Sequence, residues 1–208
     1  SVLKYRQPED AFLAGLLHDI GKMVLDDFMN EEFGNAVRMA NTEFISICEA
    51  EKAIFEANHS YVGSKIAEAW GFPPLIAEGI GRHHLYEVMA SETGELSMGA
   101  IVCLANQMAK ALQAGSGGDH LAVREPAAIW SRLPKGLPWR RIIEKVMGEL
   151  KAYAEVLEIP SGQFQMEISQ EPKGRAGVFL PRGSSYGPLL QIALEREGFE
   201  TVPFTSLS

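Results

Sequence analysis

The segment AFLAGLLHDIGKM, residues 11–23, sets a histidine and an aspartate side by side at the end of an apolar helix. Pro8 suits the first turn of that helix, Glu9 and Asp10 suit its positive end, and Gly21 suits the position just past its last turn. Phe12, Leu13, Leu16, Leu17 and Ile20 recur at steps of one, three and four, the spacing of a broad buried face. A polar pair therefore lies in a hydrophobic neighbourhood. An ionised carboxylate in such a place is costly unless it is paired, hydrogen-bonded or bound to a cation, so His18 and Asp19 require partners from elsewhere in the chain.

Further along, residues 43–57 read as a helix with Ile45, Cys48, Ala53 and Phe55 apolar among Glu49, Glu51, Lys52 and Glu56; it delivers the chain to Asn58 and His59. Ser60 to Trp70 carries a helical stripe of Val62, Ile66, Ala69 and Trp70, and Gly71 stops it. Trp70 and Phe72 read as core anchors at the corner made by Pro73 and Pro74. Pro74 starts a helix that ends in Arg82, His83 and His84. Residues 87–96 read as a loop, Ser97 as the cap of a long helix to about Ala114, and Pro126 to Arg132 as a small helix. Trp139 to Leu157 is amphipathic through Ile142, Ile143, Val146, Leu150, Tyr153 and Leu157. Strand signals are absent before residue 160, so the first part reads as an all-α domain.

After residue 160 the pattern changes. Residues 160–175 read as a linker, Ala176 to Leu180 and Thr201 to Phe204 as strands, and Tyr186 to Glu197 as the helix between them. The organisation expected is a helical domain over 1–160 and a small α/β appendage over 161–208. Because the sequence opens almost directly on helix signals, the first helix of the domain is expected to be missing or truncated.

Bulk properties narrow the classes. The 208 residues, 46% of them apolar, allow one sizeable core. Nineteen Lys and Arg against 27 Asp and Glu give a net charge of -8, without the concentrated basic footprint that phosphate backbones require. No apolar run reaches the roughly 18 residues needed to span a bilayer, and residues 1–25 lack a secretory-signal pattern. Nucleic acid and membrane are therefore not expected partners. Cys48 and Cys103 lie in helical stretches and read as free buried thiols, which points to a reducing, cytoplasmic setting.

His18, Asp19, His59, His83 and His84 all fall near helix ends, where several segments can converge. Imidazole and carboxylate donors suit zinc, iron or manganese, and an oxygen-rich site would suit magnesium. Lys22 is read first as an ion pair to Asp26 at i+4 and second as a contact for a substrate phosphate. Without a metal, the same residues read as a hydrogen-bonded polar cluster, with His59 or a later histidine donating to Asp19 and with His83 and His84 capping their helix.

The segments AGLLHDIGK, HSYVGSKIAEAWGFPPLIAEGIGRHH and IVCLANQMA, in this order and spacing, resemble the HDOD family, the output-domain branch of the HD superfamily of bacterial signalling proteins. The resemblance covers roughly residues 5–155. It implies an HD-like multi-helix bundle used in regulation, acting through a protein or signalling-domain partner, with a homodimer left open. It also places His18 and Asp19 at the paired metal ligands of catalytic HD phosphohydrolases. His59, His83 and His84 match further histidines of the cyclic-dinucleotide phosphodiesterase branch.

Three departures from the catalytic patterns stand out. Residues 1–17 contain no earlier histidine, and Asn106 occupies the place of a late aspartate, where an amide neither balances metal charge nor acts as a strong base. The GYP signature is absent after His84. The resemblance therefore implies a non-catalytic output module with a degenerate site and no cofactor. The alternative is a metal-dependent phosphohydrolase acting on nucleotides or cyclic dinucleotides, with Asp19 and Lys22 in the reaction and a divalent ion held by the five site residues. The tail segments AGVFLP, GSSYG, PLLQIALEREGF and ETVPF resemble the opening of a receiver domain, but Pro181 and Arg182 stand where acidic residues belong. The tail is either a truncated receiver or an extension packed on the helices.

Overall fold

A computed structural model describes residues 5–112, 117–118, 127–133, 137–156, 158, 174–178, 192, 194 and 199–203. Nine α-helices are defined among them: α1 Pro8–Leu17, α2 Ile20–Phe28, α3 Asn30–Glu43, α4 Ile47–Phe55, α5 His59–Ala69, α6 Pro74–Arg82, α7 Tyr86–Ser91, α8 Met98–Ala111 and α9 Trp139–Val156. A 3-10 helix spans Ala127–Arg132. The architecture is all-α, as the hydrophobic spacing predicts. None of these helices is long and apolar enough to cross a membrane.

Local chemistry explains most boundaries. Ser46 caps α4 through a reciprocal capping box with Glu49. Asn58 accepts from the Tyr61 N–H at the start of α5, and Ser97 accepts from the Ala100 N–H at the start of α8. Gly71, at φ +73°, turns the chain out of α5, and Pro74 opens α6. The loop expected over 87–96 is a short helix in its first part, α7, which packs against the 3-10 helix.

The opening helix departs from expectation in two ways. Helix α1 stops at Leu17, Asp19 takes a bridge-region conformation at φ -99° and ψ 10°, and α2 restarts at Ile20. Gly21 therefore lies inside α2, where it is buried, and not beyond a helix end. In addition, Phe12 and Leu16 face outward, at 58% and 67% exposure. Apolar residues surround α1 on all sides, so spacing alone does not choose the buried face. Close packing chooses it: a Cβ on Gly79 of α6 would stand 2.9 Å from the Ala14 methyl, so small residues draw α1 onto α6 and α8 along the Ala14 side.

Three clusters make the core. One joins Ala14, Ala67, Ile76, Ile80, Met98 and Val102, with Leu13, Leu17 and Phe72 against it. A second joins Ala36, Ala40, Ile47 and Ala50 between α3 and α4. The third builds on Cys103, Leu104, Trp130, Ile143 and Met147, and also contains Ile192. Trp70 belongs to none of them. At the C-cap of α5 it is 64% exposed and rests on Phe72 with ring centroids 6.4 Å apart, which corrects its reading as a core anchor. Trp70→Ala is expected to cost less than about 1 kcal/mol in a thermal melt, whereas a cavity-sized loss of about 3–5 kcal/mol would restore the core assignment.

Near the C-terminus, β1 Gly174–Val178 and β2 Phe199–Pro203 pair in parallel, with Gly174 opposite Phe199 and Val178 opposite Pro203. A parallel pair requires a crossover between its strands. The linker expected over 160–175 overlaps β1 at Gly174 and Arg175; its remaining residues and most of the helix expected over 186–197 lie outside the described residues.

Candidate metal centre

Four helix boundaries converge on one pocket. His18 and Asp19 occupy the break between α1 and α2, His59 opens α5, and His83 and His84 follow α6. Helix ends leave backbone carbonyls without partners, and two of these carbonyls orient the histidines. The Nδ1–H of His18 donates to the Gly15 carbonyl at 2.7 Å, and the Nδ1–H of His83 donates to the Ile80 carbonyl at 2.7 Å. Since a carbonyl only accepts, each neutral ring must carry its proton on Nδ1 and present a lone pair at Nε2.

Both lone pairs point inward. His18 Nε2, His83 Nε2 and Asp19 Oδ1 are buried atoms with no hydrogen-bond partner, and His18, Asp19 and His83 each offer a ligand atom within 4.8 Å of the others. His83 is completely buried. Three unsatisfied donor atoms in one pocket, two imidazole nitrogens and a carboxylate oxygen, are the chemistry of a divalent transition-metal site. The residues fit such an ion.

His59 joins the pocket from α5. Its Nε2 lies 3.2 Å from Asp19 Oδ1 and 3.1 Å from His84 Nε2. Its Nδ1–H donates to Glu51 Oε2 at 2.7 Å, and its backbone N–H donates to the same oxygen at 2.9 Å. Glu51 and His59 are both fully buried. A carboxylate behind a histidine, aligning the ring and making it more basic, is the usual support of a metal-binding imidazole. His84 is held from behind by the Tyr86 hydroxyl and lies against the His83 ring with centroids 4.1 Å apart.

The electrostatics follow from these neighbours. Burial opposes the Asp19 charge, yet the adjoining His59 ring and the Lys22 ammonium hold its carboxyl well below the usual carboxylate range. Burial pushes His83 far below an ordinary histidine, and the surrounding His84, His59 and His18 push it the same way. Burial likewise depresses His84, helped by His59, Lys110 and Lys22. At neutral pH the pocket thus holds an ionised carboxylate and at least two neutral imidazoles, the protonation states that metal ligation needs.

Lys22 differs from its expected pairing. Its Nζ donates to Asp19 Oδ2 at 2.8 Å and to the Gly117 carbonyl at 2.9 Å. Asp26 instead accepts from Asn30 Nδ2 at 2.8 Å. The α2 break explains the change, because Asp19 at the helix start stands one turn from Lys22. Asn106 lies half-buried on α8.

Sequence reading assembled the five expected residues but missed Glu51, Cys48 and Tyr86. The signal for Glu51 was available: Ile47, Ala50, Glu51 and Ile54 form one helical stripe, and a carboxylate in a buried stripe requires a partner. Cys48, His59 and His84 also offer ligand atoms within 4.8 Å of one another.

The arrangement is all-α, with a His–Asp pair between two helices and further histidines at later helix ends. Residues 1–86 match the family model described as HDOD domain. The match takes in α1 to α6 and both His83 and His84, and ends before α8. No curated protein and no solved structure matches the chain.

Proposed function

We propose that the chain is an output module of bacterial signal transduction whose HD-derived pocket holds one or more divalent transition-metal ions and acts through a protein or signalling-domain partner. One observation carries the metal reading: the Nε2 atoms of His18 and His83 are fixed as lone-pair donors by helix-end carbonyls, have no hydrogen-bond partner, and lie 3.4 Å from Asp19 Oδ2 and 3.8 Å from Asp19 Oδ1 respectively. In a hydrolase a bound ion would polarise a phosphoryl oxygen and lower the pKa of its water. The chain's own residues support retention more than turnover. Lys22 is engaged by Asp19 and Gly117, and Asn106 cannot supply the charge of a late aspartate.

The test is metal content after gentle purification, followed by calorimetric titration of the metal-free protein with manganese and zinc. Near-stoichiometric binding is expected, with loss in His18→Ala. Absence of binding would leave the cluster as a hydrogen-bonded structural element. The phosphohydrolase alternative requires, in addition, release of phosphate or nucleotide by the metal-loaded protein and its loss in Asp19→Asn.

A further inference from the structure

We infer that Cys48 is a metal ligand and that α4 thereby adds a thiolate-containing position beside the His18, Asp19 and His83 donors. The inference rests on the proposed metal pocket and specifies its chemistry. Cys48 and Glu51 are three residues apart on α4 and share a face. Glu51 fixes the His59 ring from behind at Nδ1, while Cys48 stands with His59 and His84 as a group of three convergent donors. All three side chains are buried or half-buried.

Geometry favours a common ion for the two histidines. Two nitrogens bound to one tetrahedral zinc at about 2.05 Å stand about 3.3 Å apart, and His59 Nε2 and His84 Nε2 are separated by 3.1 Å. The donor set is then one sulfur and two nitrogens.

Charge supplies a second argument. The buried Glu51 carboxylate behind His59 offsets one charge of a dication held with His84, and a second anion is needed to neutralise it. On ligation the Cys48 thiol releases its proton to solvent and binds as the thiolate, so thiolate and carboxylate together neutralise the ion. Cys48 lies in the first turn of α4, where the helix field also favours the anion. A soft thiolate donor selects zinc or cobalt over manganese and magnesium.

The experiment is cobalt(II) titration of the metal-free full chain, followed by absorption spectroscopy and by metal stoichiometry. An intense near-ultraviolet thiolate-to-cobalt charge-transfer band is expected in the wild type and in Cys103→Ala, whose thiol lies in the α8 core cluster, and is expected to vanish in Cys48→Ser. Zinc affinity should fall in Cys48→Ser by at least the roughly tenfold that loss of a supporting group causes. Cobalt bound by the wild type without that band, or a band that survives Cys48→Ser, overturns the thiolate ligand and leaves the metal pocket standing. No cobalt bound at all overturns both.

Discussion

Gly21→Ala is expected to disrupt the packing of α2 on α5 and to destabilise the protein by more than the roughly 1–3 kcal/mol of ordinary overpacking. A methyl group at this position would stand 2.0 Å from the His59 carbonyl oxygen, 2.8 Å from its carbon and 2.9 Å from the Gly63 nitrogen. All three atoms are backbone, so no side chain can rotate away. The helices themselves must separate, and because Asp19 precedes α2 while His59 opens α5, the pocket separates with them. Gly15→Ala is the control: nothing lies within 4 Å of its Cβ position, and added helix propensity should leave stability unchanged or slightly raised. Urea denaturation of both variants checks this, with metal binding as the second readout. A Gly21→Ala midpoint equal to wild type would refute the close approach.

Gly21 also shows what sequence reading can and cannot resolve. A glycine after His-Asp-Ile satisfies two physical demands equally well, a left-handed helix stop or a backbone-to-backbone approach, and only the position of His59 decides between them. Boundaries set by local chemistry were legible: Asn58, Gly71, Pro74 and Ser97 act within a few residues of themselves. Burial of individual aromatics was less so, because Phe12 and Trp70 sit in helices whose neighbours, not whose own spacing, choose the inward face. The pocket was half legible for the same reason. His18, Asp19, His59, His83 and His84 mark helix ends and carry recognisable chemistry, while Glu51 and Cys48 look like ordinary members of an amphipathic helix until α4 is packed against His59.

The second large effect concerns Glu51. Removing the carboxylate with Glu51→Ala strips two hydrogen bonds from a buried histidine, one at Nδ1 and one at its backbone N–H, and breaking a buried pair from one side costs about 3–5 kcal/mol. Glu51→Gln keeps the shape and one acceptor oxygen, so it isolates the charge. In the metal-free protein, burial lowers the basicity of His59, but Asp19 and Glu51 outweigh it and raise its pKa. A histidine raised on folding stabilises fully below its unfolded value of about 6.5, and that contribution is lost as pH rises through the higher folded value. Glu51→Gln removes part of the raise. Its penalty in urea denaturation should therefore be largest near about pH 6 and shrink at alkaline pH, once the wild-type ring is also neutral. A penalty independent of pH would show that His59 is neutral throughout and that Glu51 serves only as an acceptor. In that case the Glu51 charge stays available to offset a bound cation, and Glu51→Gln should weaken zinc binding by roughly 10–100-fold, as other outer-shell losses do.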